Sequence, residues 1–184
     1  IPEGVISIGE STFYNCSALK SVTIPDSVTL IGSSTFYGCT SLTSITIPNG
    51  VTSIKTNAFA GCSSLTSVQI SDLSAWCKID FSSSTSNPLY YAKNLYLNEE
   101  LVTTLTTPSD IDKIKPYIFY NCNNLTSVSI PEGVTSIGDS AFYGCSALAS
   151  VIIPEGVTFI GGNAFSNCTG ELTINSNIPG ASSM

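Results

Sequence analysis

The residues with most chemical potential are the seven cysteines, and six of them recur at a fixed step: Cys16, Cys39 and Cys62, then Cys122, Cys145 and Cys168. Thiols can ligate metal, pair as disulfides or act as nucleophiles. A metal site wants short Cys-x-x-Cys spacings or histidine partners, and the chain has no histidine. A nucleophilic thiol or hydroxyl wants a base near neutral pH, and histidine, the usual one, is missing. Disulfides between coils stacked ~4.8 Å apart would need Cβ atoms closer than a parallel register brings them, and a row of three cannot pair off completely. The six are therefore read as buried free thiols behaving as small hydrophobes. Free thiols are unusual outside the cell, and deep burial is what would protect them. Cys77 stands outside the row.

Carboxylates form a second row, Glu3, Asp26, Glu132 and Glu155, with Asn49 and Ser109 in the remaining slots. Calcium wants six to eight oxygens converging on one point, and a row supplies one carboxylate per coil, so these are expected to be solvated turn residues. No asymmetric carboxylate pair suited to glycoside cleavage is implied, and no Gly-rich phosphate loop with its lysine occurs. Catalytic residues, metal ligands and cofactor sites are all assigned as none, and the chain is read as not an enzyme.

Hydroxyls are the more productive candidates. Ser21, Ser44, Ser67, Thr104, Ser127 and Ser150 fall at one repeat position, and Thr23, Thr46, Gln69, Ser129 and Ile152 two places further on. They are expected to stand outward from a sheet. Two readings remain open: a partner-binding face, or ladders that only keep the sheet soluble. Aromatics supply another candidate. Trp76, Tyr90, Tyr91 and Tyr96 cluster in sequence, as a possible platform for a sugar or peptide or as a local core. Tyr14, Tyr37, Tyr120 and Tyr143 make a row broken by Ala60 and Ser166, read either as intercoil packing or as an exposed stripe.

The elements that must position these residues follow from the prolines. Pro2, Pro25 and Pro48, then Pro108, Pro131 and Pro154, step by 23 residues, inside the range of leucine-rich repeats. One unit places Val28, Ile31, Phe36, Cys39, Leu42, Ile45 and Ile47 in apolar slots, and a later one repeats them as Val134, Ile137, Phe142, Cys145, Leu148, Val151 and Ile153. Leu42-x-x-Ile45-x-Ile47 ends with strand alternation. The residue before each repeated cysteine is Asn15, Gly38, Gly61, Asn121, Gly144 or Asn167, the two types that enter the left-handed region most cheaply. A positive-φ turn is predicted there. Gly4, Gly50, Gly133 and Gly156 mark a second turn after the proline. The small residues Thr12, Thr35, Ala58, Ala141 and Ala164 precede the phenylalanine, where coils are expected to crowd, and Ile118 is the exception.

This pattern, I-P-x-G-V-x-x-I-x-x-x-A-F-x-x-C-x-x-L-x-x-V, resembles the BspA-like bacterial surface class of leucine-rich repeats. Six Phe-x-x-Cys elements from Phe13–Cys16 to Phe165–Cys168 carry the resemblance over nearly the whole chain. It implies a secreted or cell-surface protein, with adhesion to host proteins or other cells ascribed to some members. The expected fold is a leucine-rich-repeat solenoid: a right-handed coil of about eight turns, one parallel β-sheet face, and short helical or extended turns opposite.

Pro48 to Pro108 spans 60 residues, two units plus 14. Residues 1–70 and 108–184 are read as regular repeats and 71–107 as one enlarged unit, all within a single 1–184 domain. In the enlarged unit Asp72 or Ser71 is expected to cap a short helix through Trp76. Leu95–Leu97 and Leu101–Thr103 are expected to pair as a hairpin across Asn98-Glu99-Glu100, although Gly would suit a primed turn better than Glu99. Residues 82–87 are read as a polar loop. Similar Trp-bearing oversized units belong to the resemblance.

Composition bounds the partners. Net charge −7 and pI about 4.2 argue against nucleic acid or anionic lipid, and no apolar run reaches the ~20 residues of a membrane span. The only methionine is Met184, so the chain is read as part of a longer one. The expected function is an extracellular or cell-surface module for protein interaction or adhesion, meeting a protein or glycan on a host or neighbouring cell, with possible weak end-to-end self-association. The alternatives are a carbohydrate-binding module using the aromatic insert, and a passive spacer.

Overall fold

The computed structural model describes residues 1–174, so the repeat expected to run on to residue 184 passes, beyond that point, outside the described residues. Each 23-residue unit makes one turn of a parallel-sheet β-solenoid of about seven turns with little helix. About eight turns were expected; the described residues make about seven, with the extra residues of the enlarged unit taken up as two short helices and a hairpin within one turn, as the single-unit reading of 71–107 requires.

Two strand ladders run along the stack. The first joins β1 (Ser7–Ile8), β2 (Leu30–Ile31), β4 (Ser53–Ile54) and β6 (Asp80–Phe81), and resumes as β10 (Lys113–Ile114), β12 (Ser136–Ile137) and β14 (Phe159–Ile160). The second joins β3 (Ser44–Thr46), β5 (Ser67–Ile70) and β7 (Leu95–Leu97), where β8 (Glu100–Leu101) folds back antiparallel. It resumes as β9 (Thr104–Thr106), β11 (Ser127–Ser129), β13 (Ser150–Ile153) and β15 (Glu171–Ile174). The first ladder is an addition to the single sheet expected. Its strands hold only two residues each, too few to show as alternation in the sequence.

The interior is built from like on like. Val28, Ile31, Phe36, Cys39, Leu42, Ile45 and Ile47 are all buried, as are Val134, Ile137, Phe142, Cys145, Leu148, Val151 and Ile153. Phe13, Phe36 and Phe59 stack with ring centroids 5.3 Å apart, and Phe119, Phe142 and Phe165 at 5.3–5.4 Å. Those spacings are close to the strand repeat, so the rings lie offset face to face. The crowding expected before each phenylalanine is found: Thr35, Ala58 and Ala141 are fully buried.

All six residues before the repeated cysteines have positive φ, from 55° at Asn15 to 77° at Gly61. A second left-handed column was not expected. Ser11, Ser34, Asn57, Tyr117, Ser140 and Asn163, two places before each phenylalanine, have φ of 52–62°. Between these two kinks the backbone lies flat against the next coil: the Phe36 N–H donates to the Ala58 carbonyl at 2.8 Å and that of Gly38 to Ala60 at 2.8 Å.

The enlarged unit bridges two regular blocks. Asp72 caps α1 (Leu73–Cys77), accepting from the Ser74 and Ala75 amides. The expected polar loop winds into a 3₁₀ turn over Ser84–Ser86 and leads to α2 (Leu89–Ala92). Asn98 (φ 51°) and Glu99 (φ 69°) form the two-residue loop between β7 and β8. Both positive φ values are what a type I′ turn demands. No strand pairing joins β8 to β9, nor β6 to β10. A single apolar core nevertheless runs through the unit, with Trp76, Ile79, Leu89 and Leu95 buried in it.

Candidate functional site

The cysteine row is structural. Cys39, Cys62, Cys77, Cys122 and Cys145 are buried free thiols, Cys168 is half-buried and Cys16 exposed. Four thiols reach one coil back: Cys39 Sγ–H donates to the Phe13 carbonyl at 3.2 Å, Cys62 to Phe36 at 3.1 Å, Cys145 to Phe119 at 3.2 Å and Cys168 to Phe142 at 3.2 Å. Burial pushes the Cys62 and Cys122 thiols up to about 12, and Cys77 equally, where Asp110 and Asp72 add to the effect of burial. These are poor nucleophiles by construction. No cluster of potential metal ligands occurs among the described residues, and Glu3, Asp26, Glu132 and Glu155 stand exposed on successive turns.

The aromatic candidates do not form one platform. Trp76 is 1% exposed, and its indole N–H donates to the Ile118 carbonyl at 3.2 Å. In regular turns the equivalent carbonyl, such as Ala58 or Ala141, takes the amide N–H of the previous phenylalanine. At Ile118 the previous turn offers no such amide, and Trp76 and the buried Asn87, whose Nδ2 lies 3.3 Å away, serve instead. The indole thus substitutes for a missing backbone donor and is closed to any ligand.

Tyr90 and Tyr91 belong with the tyrosine row. Tyr90 stacks on Tyr120 at 5.6 Å, and Tyr120 on Tyr143 at 4.8 Å. The Tyr91 hydroxyl accepts from the Gly61 amide at 2.9 Å, filling the gap that Ala60 leaves. The stacked faces are occupied by one another, so the ribbon offers ring edges rather than the open faces that a sugar stacks on. Tyr14, at the other end of the stack, is more exposed and stacks on Tyr37.

Tyr96 has a different place. It pairs in register with Gln69, which pairs with Thr46, so it stands in the second outward column of the sheet face. That face is what the structure assembles from the predicted hydroxyls. Ser44 pairs with Ser67, and Thr104 with Ser127, which pairs with Ser150. Ser44, Thr104 and Ser127 are exposed and Ser67 half-buried, while their neighbours Ile45, Val68, Leu105 and Val128 point into the core. Ser21 is exposed but lies in no strand. Two hollows mark the face. One lies under the hairpin, between Thr46, Gln69, Asn98 and Glu99. The other lies between Ser127, Ser129, Glu132, Ile152, Pro154 and Glu155. The hollows went unseen in the sequence because they depend on register between coils, although an isoleucine in a hydroxyl column was the available signal for the second.

Comparison with known proteins now bears on this geometry. A family model described as BspA type leucine rich repeat region matches in six copies, over residues 1–100 and 90–179. Among solved structures, the chain is similar to a leucine rich cell surface protein from Faecalibacterium prausnitzii A2-165, with 34% identity and a TM-score of 0.59 over 97% of this chain and 46% of that one. It is similar also to a leucine-rich repeat protein from Bacteroides ovatus (26% identity, TM-score 0.58, 88% of this chain and 38% of that one). A leucine rich repeat protein from T. pallidum shares 28% identity at a TM-score of 0.54, over 91% of this chain and 72% of that one. The chain therefore spans less than half the length of the first two. No curated protein matches it.

Proposed function

This chain belongs to the BspA-type leucine-rich-repeat family, and from that premise we propose that it is a binding module of a bacterial cell surface, presenting its second ladder to a macromolecular partner. The observation that carries the reading is the open, in-register sheet face, with Ser44, Thr104 and Ser127 exposed along it. Adhesion to a host or neighbouring cell is the role this surface fits. Through β13 the outward columns of the face carry mostly hydroxyls, with Gln69, Tyr96 and Ile152 as exceptions and the carboxylates of Glu99, Glu132 and Glu155 at its margins; with few hot-spot residue types, affinity per unit area should be modest and partners should be engaged over several coils.

Catalysis has no support in this geometry: five of the seven thiols are buried, the chain has no histidine to serve as a base, and Glu3, Asp26, Glu132 and Glu155 stand in solvent one per turn. The carbohydrate reading loses Trp76, its central residue, to the core. The test is binding of the purified chain to immobilised host matrix proteins and to intact bacterial cells. Ser44→Arg and Ser127→Arg each place a bulky charge on the face without touching the core. Loss of binding in both, with an unchanged circular dichroism spectrum, is the expected result. Unchanged binding in both would overturn the reading.

A further inference from the structure

We propose that the hollow around Ile152 docks an extended partner segment carrying a lysine or arginine two residues from an aliphatic residue; the proposal rests on the sheet-face reading above and names the chemistry of its partner. The second outward column holds Thr46, Gln69, Tyr96, Thr106, Ser129 and then Ile152. Ile152 is 60% exposed. Strands flank it on both sides, β11 through Ser129 and β15 through Thr173, so its exposure does not come from lying at the end of the stack. A lone exposed isoleucine is ordinary. This one is set apart by its surroundings, a hollow walled by Pro154 and bordered by Glu132 and Glu155.

The two carboxylates occupy the same slot of consecutive coils and both are exposed. Among the described residues the ion pairs are Lys78–Asp110 and Lys115–Asp80, so neither glutamate has a cation. An apolar side chain beside two stacked, unneutralised carboxylates is complementary to an aliphatic group beside a cation. An extended segment offers that pair on one face at positions i and i+2. Its aliphatic group would cover Ile152 and Pro154, and its cation would sit between Glu132 and Glu155. The net charge of −7 adds steering toward a basic partner.

The test uses the whole chain and fluorescein-labelled peptides read by anisotropy at low salt: a Lys-Ser-Val-Ser repeat (the Lys-Val peptide), which sets lysine and valine on one face of an extended chain, and a Lys-Ser-Ser-Ser repeat of equal charge (the Lys-Ser peptide). The Lys-Val peptide should bind the more tightly. Ile152→Ser should weaken it about tenfold and erase its advantage over the Lys-Ser peptide. Glu132→Gln with Glu155→Gln should weaken both peptides and flatten their salt dependence. Glu3→Gln with Asp26→Asn removes the equivalent carboxylate pair at the far end of the stack and should change little. Equal binding of the two peptides, or equal losses from the remote and the local pair, would mean unspecific charge attraction and overturn the proposal, as would a wild-type chain that binds neither. If Ser127→Arg abolishes partner binding while the groove variants do not, the face reading stands and this proposal alone falls.

Discussion

At the scale of single residues, the cysteine row shows why a thiol recurs where alanine or valine would also fill space. The side chain is small enough for the crowded interior, and its weak donor meets a carbonyl of the preceding turn. The same burial sets a pH dependence. A free thiol titrates near 8.5, while Cys62, Cys77 and Cys122 are held up to about 12. The fold thus favours the protonated form. Its contribution is complete below about pH 8.5, and it drains as unfolded thiols ionise between there and about pH 12. Each thiol adds a slope of up to ~1.4 kcal/mol per pH unit in that window. Urea midpoints should be level from about pH 6 to 8 and fall steeply from about 9 upward, and Cys62→Ala with Cys122→Ala should fall less steeply. In the native protein a maleimide should label Cys16 rapidly and the five buried thiols only on unfolding.

At the scale of elements, the enlarged unit is held by substitutes for backbone hydrogen bonds. Trp76→Phe keeps most of the apolar volume but strips a donor from the buried Ile118 carbonyl. It should cost about 1–3 kcal/mol in urea unfolding, against no effect on binding at the sheet face. A cost near zero would mean that Asn87 alone satisfies that carbonyl. Glu99 carries the opposite defect. Its φ of 69° is strain of order 1 kcal/mol for a residue with a Cβ. Glu99→Gly should raise stability by no more than about 0.5 kcal/mol after the extra chain entropy of glycine is subtracted.

The same elements show what could be read in advance. The left-handed turn before each cysteine was legible because only Gly and Asn occupy it. The equivalent kink two places before each phenylalanine was not, because Ser11, Ser34, Ser140 and Tyr117 do not advertise a positive φ. The hairpin was legible as two strand-forming runs about a polar pair. Trp76 stayed open between a platform and a local core because its partner, Ile118, lies 42 residues away, and no local pattern reports such a bond. The hydroxyl columns were legible from the 23-residue step alone, and the hollows within them became visible only once coils were set in register.

At the scale of the whole molecule, the ladders divide the chain into two blocks that share a core but no strand pairing across residues 98–103. In a stacked array each turn is stabilised by its neighbours, so stability is close to a sum of nearest-neighbour terms. The junction replaces most of a run of backbone bonds with side-chain bonds from Trp76, Asn87 and Asn121, a backbone bond from Asn123 to Lys93, and two surface ion pairs, Lys78–Asp110 at 2.5 Å and Lys115–Asp80 at 2.6 Å. Exposed pairs of this kind are worth little. Amide hydrogen exchange under mild denaturant should therefore resolve two cooperative groups, the strands up to β7 and those from β9 onward, with Trp76→Phe widening the gap between them. A single exchange class across both blocks would contradict this.

That hinge-like seam also governs how the surface meets load. A force along the stack axis passes through every hydrogen-bonded layer in turn, and the layer lacking a continuous ladder is expected to yield first. Were the two ends of the stack drawn apart, the blocks on either side of the Asn98–Glu99 turn should therefore open one after the other, which single-molecule extension would read as two steps rather than one.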